Sequence, residues 1–217
     1  MKNIFLHILI CSFVITSFHC GITQPVRTIP KEETRLTASF GGPIIPLGDV
    51  AVPVPYLNAG GQYGASDDLT LFGNFHITSL LFKDIGIDGG AASRLLKENG
   101  IYPEVTVHGR LLFFWDFIRS GSSRLFPSAT VNASYAVGRA SLIYFGADNL
   151  YQVHKPEYFL APFIGYRFPL SEMMTMQLES KWLAANKNTR HGIFEGVTSI
   201  SGIGNISFYL GMEMVLQ

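Results

Sequence analysis

The strongest constraint in this chain is a two-residue rhythm. In segment 126–138, Phe126, Ser128, Thr130, Asn132, Ser134 and Ala136 share one face and are mostly small and polar. Ala129, Val131, Ala133, Tyr135 and Val137 share the other face and are all apolar. A strand turns successive side chains to opposite faces, so this one has a wet face and a greasy face. Between Thr34 and Gln217 the pattern recurs about ten times, in pieces long enough for a tilted strand to cross a bilayer. The segments fall at about 34–42, 54–65, 69–80, 84–95, 101–115, 124–138, 140–149, 157–168, 172–184 and 203–216. The expected fold is all-β: an antiparallel transmembrane β-barrel of about ten strands, with eight or twelve as the alternatives.

Composition supports a lipid-facing exterior. The chain is 47% hydrophobic and 13% aromatic but only 15% charged, whereas soluble domains average about 25% charged residues. Beyond the first twenty residues no apolar run reaches the roughly 18 residues that a membrane helix needs. A membrane protein without helices must close its sheet, because lipid satisfies no open edge. Formal net charge is zero and basic runs are absent, so nucleic-acid binding has no electrostatic support.

Residues 1–20 read as a cleaved secretory signal peptide, with Lys2 as the positive region and Ile4 to Phe18 as the apolar core. No A-x-A cleavage site follows. Cys20 is a candidate lipidated N-terminus, although His19 stands where lipoprotein signals carry a small residue. Residues 21–33 contain two prolines and polar residues, and are expected as a periplasmic lead-in; the barrel is expected over 34–217.

The connections alternate in length. Those after even-numbered segments are tight: Ser66–Asp68, Lys97–Gly100, Gly138-Arg139 and Pro169–Ser171. Those after odd-numbered segments are mostly longer, at 43–53, 116–123, 150–156 and 185–202, with 81–83 the short exception. Short turns on one side and long loops on the other are expected of a barrel with both termini in the periplasm. Amphipathic aromatic residues suit the headgroup level. Trp115 and Trp182 are expected at the outer ends of their strands, and Tyr63, Tyr102, Tyr158 and Phe168 near the periplasmic ends.

The last segment places Ile206, Phe208, Leu210, Met212, Met214 and Leu216 on one face. It resembles the C-terminal strand signal by which bacterial outer-membrane barrels meet their insertion machinery, although Gln217 stands where the usual terminal aromatic would be. With the alternation and the loop asymmetry, the mature chain resembles the small outer-membrane β-barrel proteins of diderm bacteria. The resemblance rests on pattern and implies architecture and an outer-membrane location. Outer-membrane lipid and the insertion machinery are the partners it implies, and it implies no cofactor.

If apolar positions face lipid, the opposite parity lines the lumen. It holds Arg35, Asn58, Gln62, Thr70, Asn74, His76, Asp88, Arg94, Glu104, Thr106, His108, Arg110, Arg167, Gln177, Glu179, Lys181 and Glu213. Buried charges persist when paired, and ten strands leave a narrow interior, so a charge-laced filled lumen is expected. Arg35, Arg94, Glu104, Arg167 and Glu213 are expected in one layer near the periplasmic end. His76, Asp88 and His108 point inward from three consecutive segments at similar distances from their turns. They are candidates for acid–base work or a metal site, with a hydrogen-bonded filling as the favoured reading. No metal is expected, because the filling reading is the stronger. The loop histidines His154 and His191 have no convincing carboxylate partner.

The leading expectation is a non-enzymatic membrane barrel whose outer loops meet the environment. The alternatives are a narrow solute channel, a membrane-embedded hydrolase using His76, Asp88 or His108, and a secreted soluble barrel that binds lipid in an apolar interior.

Overall fold

The computed structural model describes residues 24–47, 50–53, 56–118, 123–138, 140–153, 156–188 and 200–216, with side chains at 45–47 and 50–53 excepted. The expected leader with Cys20, the loop histidines His154 and His191, and 189–199 of the last loop lie outside these residues. The elements in order are β1 (Thr34–Leu47), β2 (Val50–Pro53), β3 (Tyr56–Ser66), β4 (Leu69–His76), α1 (Ile77–Leu81), β5 (Asp84–Leu96) and β6 (Glu104–Asp116). There follow β7 (Ser123–Val137), β8 (Ser141–Gln152), β9 (Glu157–Pro169), β10 (Met174–Asn188) and β11 (Ile203–Leu216).

From β3 to β11 each strand pairs antiparallel with the next, and β1 bridges β3 and β11. The seam between β1 and β11 runs from Thr34↔Leu216 to Pro43↔Ser207 and closes a barrel of ten strands. The eleventh, β2, pairs with the last four residues of β1 as a ribbon, from Ile44↔Pro53 to Leu47↔Val50. The start of β1, the end of β11 and the tight turns at 67–68, 97–103 and 170–173 lie at one end of the barrel, here called the near end. Gly100, at φ +58°, opens the 97–103 hairpin where Asn99 bridges Tyr102, a turn position that glycine takes without strain.

The alternation runs inside-out relative to a soluble domain. Leu36, Phe40, Leu71, Ile87, Leu111, Val131, Phe145, Ile164, Leu178 and Phe208 are all exposed on the outer wall, while Thr70, Thr106 and Ser134 are fully buried within. A soluble barrel holding an apolar ligand requires the reverse arrangement. No helix among the described residues is long and apolar enough to cross a membrane.

Four expectations need correction. The segment expected as a strand over 69–80 ends at His76, and α1 follows. There the Ser79 hydroxyl donates to the His76 carbonyl (2.6 Å) and the Thr78 hydroxyl accepts from the Leu57 amide (2.8 Å), local bonds that compete with a ladder. The stretch 43–53 is largely ribbon rather than loop. The segment expected from 101 begins at Glu104, because 97–103 is spent on the hairpin. Finally, the expected lead-in 21–33 is in part internal: Pro25, Val26 and Ile29 are buried inside the barrel.

Candidate functional site

The lumen gathers the polar chemistry of this chain, and its most unexpected occupant is the segment before β1. From Glu33 the chain turns over the near rim and climbs inward to Gln24. At the rim the Glu32 amide donates to the Gly64 carbonyl (2.7 Å) and the Gly64 amide to the Glu33 carbonyl (2.9 Å). A Cβ on Gly64 would lie 1.9 Å from the Pro30 carbonyl oxygen, so the contact requires glycine. Higher up, the Thr70 hydroxyl accepts from the Ile29 amide (2.9 Å) and the Asn132 carboxamide donates to the Val26 carbonyl (2.6 Å). Val26 packs on Leu142 and Tyr144.

Two side chains of the segment anchor it. Arg27 donates through Nε to the Ser134 hydroxyl (2.8 Å) and through Nη2 to Glu98 (2.5 Å), with Glu104 at 3.7 Å. Glu98 also accepts from the Ala136 amide, and the Arg27 bond holds its carboxyl below the usual carboxylate range. The Gln24 carboxamide is oriented by its neighbours. Its nitrogen faces His108 Nδ1 (2.9 Å) and Thr130 Oγ1 (3.1 Å), and its oxygen accepts from the Arg110 guanidinium at 3.1–3.2 Å. The cavity beside it, lined by His108, Asp148, Tyr144 and Lys181 among others, measures about 20 Å³, room for one water molecule.

The wall carries its own networks. Near the near end, Glu213 bridges Arg35 (3.0 Å) and Arg167 (2.8 Å). Midway, Lys181 pairs with Asp148 and lies 3.1 Å from Glu179; the Tyr144 hydroxyl donates to Glu179 and accepts from Gln177. The Thr130 hydroxyl donates to Asp148 and so joins Gln24 to this network. The expected near-end layer is therefore divided. Arg35, Arg167 and Glu213 meet; Glu104 faces Arg27 instead; and Arg94 clamps the β3–β4 turn through Asp68. Arg94 lies beside that turn because its amide bonds the Asp68 carbonyl.

Of the candidate triad, His76 and Asp88 come together, with Nε2 2.8 Å from the carboxylate, and Asn74 holds the other carboxylate oxygen (2.8 Å). Tyr56 and Phe114 pack against the imidazole. His108 does not join them. Register pairs Asp88 with Leu112, so His108 sits four residues lower on β6, roughly 13 Å along the strand. His108 faces Gln24 and Phe72 instead. The His76–Asp88 pair is sealed, with side chains 1% and 0% exposed, and among the described residues no group of three His, Cys, Asp or Glu is placed to hold a metal.

Reading by parity missed Asp148, Gln24 and Arg27. The inner face of β8 carries Leu142, Tyr144, Asp148 and Leu150, and its outer face Ile143, Phe145, Ala147 and Asn149. Each face holds one conspicuous polar residue among apolar ones, so alternation does not tell them apart. Beyond the polar middle, Leu112, Phe114, Phe126 and Leu150 form an apolar cluster inside the barrel, with Phe159 against it. Among the aromatics, Tyr63 and Tyr102 are exposed at the near end and Trp115 at the far end. Phe168, also at the near end, stacks on Tyr166. Tyr158 is at the far end, opposite to expectation, since β9 enters from the 153–156 connection; its hydroxyl bonds Asn149. β10 runs on beyond Trp182, whose indole donates to the Ile203 carbonyl (3.0 Å).

No family model and no curated protein matches this sequence. Solved structures with a similar chain path are barrels of the outer membrane. The translocator domain of autotransporter NalP from Neisseria meningitidis is 10% identical (84% of this chain, 87% of that one; TM-score 0.44). The anion-selective porin from Comamonas acidovorans is 13% identical (78% and 52%; 0.36), so this chain spans about half that porin's length. Ail, the attachment invasion locus protein of Yersinia pestis, is 9% identical (86% and 99%; 0.30). At these scores the architecture rests on the strand pairings of this chain rather than on the likenesses.

Proposed function

We propose that this chain is an integral outer-membrane barrel, exported through a cleaved signal, closed at rest and non-enzymatic. Its near end faces the periplasm and its far rim meets the environment. The observation that carries the reading is the occupied lumen: residues 24–30 lie inside the polar interior, and the cavity beside Gln24 has room for about one water. The outer belt of exposed leucine, phenylalanine and isoleucine supports burial in lipid, since monomeric soluble proteins rarely show contiguous apolar surface of that extent. Tight near-end turns support the orientation. The sealed His76–Asp88 pair, with no room for a substrate, favours a structural role for those residues. Outer-membrane lipid and, through β11, the insertion machinery are the partners this reading implies, with the ligand of the far rim left to experiment.

The test is a cold SDS gel of detergent-extracted protein followed by planar-bilayer recording. A mobility shift on boiling, with no unitary current, is expected. A protein soluble without detergent, or a steady current from the intact chain, would overturn the reading.

A further inference from the structure

We propose that residues 24–30 form a displaceable plug, and that the barrel emptied of it conducts small hydrophilic cations. The inference rests on the closed-barrel reading above and goes further by making closure reversible.

The segment is held as a guest is held, not as a strand. It adds no ladder to the sheet. Above the backbone pins at Gly64, its bonds come from the Gln24, Arg27 and Thr28 side chains and from wall side chains that reach its backbone. Three charged networks of the wall close on themselves without residues 24–30. Arg35–Glu213–Arg167, Asp148–Lys181–Glu179 and His76–Asp88 join strands that are neighbours or next neighbours, so they run around the wall rather than across the lumen. Withdrawal of the segment leaves all of them standing.

The surface beneath the plug suits water. Thr70, Thr106, His108, Thr130, Asn132 and Ser134 are each buried, and they offer hydroxyl, imidazole and amide groups that water can satisfy in place of the segment. Barrel diameter grows with strand number. With strands about 4.8 Å apart and tilted about 40°, ten of them give a backbone radius of roughly 10 Å. Lining side chains then leave a bore of about one extended chain, the bore the plug now occupies.

The entry is built to bend. The pins at Gly64 lie at the rim, below the buried residues, and Glu32 there adopts φ +67°. The segment can therefore swing out while β1 stays paired. When Arg27 leaves, Glu98 and Glu104 lose its positive charge at the near mouth; Arg35, Arg167 and Arg94 there stay paired with Glu213 and Asp68, so the carboxylates that lost Arg27 favour cations.

The experiment compares the intact chain, Gln24→Ala/Arg27→Ala, and a deletion of 24–29 in planar bilayers under a KCl gradient, each first shown to fold by its heat-shifted gel band. Expected are no unitary steps from the intact chain, intermittent steps from the double alanine variant and steady steps from the deletion, with reversal potentials on the cation side. Folded variants that stay silent would overturn the plug while leaving the closed barrel intact. So would failure of both variants to fold, which would make the segment core rather than guest. An intact chain that conducts as the deletion does would instead sink the closed-barrel reading.

Discussion

Replacing Glu213 by glutamine removes one negative charge from between two guanidinium groups. Glu213 is 7% exposed, and Arg35 and Arg167 are 16% and 15% exposed. Breaking a buried ion pair by removing one partner costs about 3–5 kcal/mol, because the other charge is left uncompensated. Two features lower that figure: the arginines are partly solvated, and Arg35 keeps Glu33 at 2.5 Å. A loss of about 2–3 kcal/mol remains. With a urea slope of about 1–3 kcal/mol per molar, the unfolding midpoint in lipid vesicles should fall by roughly 0.7–3 M, followed by tryptophan fluorescence. The companion variant Arg35→Met/Glu213→Leu/Arg167→Met removes all three charges and should recover most of the loss, since an apolar replacement of a buried triad need not destabilise. A midpoint unchanged by Glu213→Gln, or a triple variant no better than the single one, would refute the account of this layer.

Other expectations are narrower. Glu98 has a folded pKa below its unfolded value, so its bond to Arg27 contributes stability above about pH 4.3, lost as pH falls through the folded value. Acidification should therefore loosen the segment and raise the rotational mobility of a spin label placed by Lys31→Cys, and Glu98→Gln should flatten that dependence. Gly165→Ala places a Cβ 2.1 Å from the Tyr144 ring and should cost about 1–3 kcal/mol. Gly109→Ala meets nothing within 4 Å and should stay within about 0.5 kcal/mol; equal losses at the two sites in urea titrations would show the packing is misread. His76→Gln and Asp88→Asn should each lower the unfolding midpoint, with no hydrolytic activity in the intact chain to lose; esterase or lipase activity abolished by either change would contradict the structural role.

The barrel was legible because β7 writes it plainly: its two faces differ at nearly every position, and the same parity buries Ser128, Thr130, Asn132 and Ser134. His76 and Asp88 were legible as inward neighbours. His108 seemed level with them only because distance along the chain from a turn ignores the stagger that tilt imposes on adjacent strands. Asp148 was hidden by a β8 whose two faces look alike. The plug was hidden more deeply. Residues 24–33 have no strand or helix period, and their information lies in single groups that match a distant wall: the Gln24 amide for Arg110, His108 and Thr130, and the Arg27 fork for Glu98 and Ser134. Gly64 was the one local sign, a bare Cα waiting for the Pro30 carbonyl.

The placement of that internal segment also bears on how the molecule is assembled. Its anchoring bonds go to β4, β6, β7 and the turns beside them, elements from the first two thirds of the chain. The seam, by contrast, joins β1 to β11, the first strand to the last. A curved half-sheet of β3 to β8 already offers every anchor, open along one side like a trough. The segment can lie down in that trough before β11 arrives, so nothing ever has to be threaded through a finished ring.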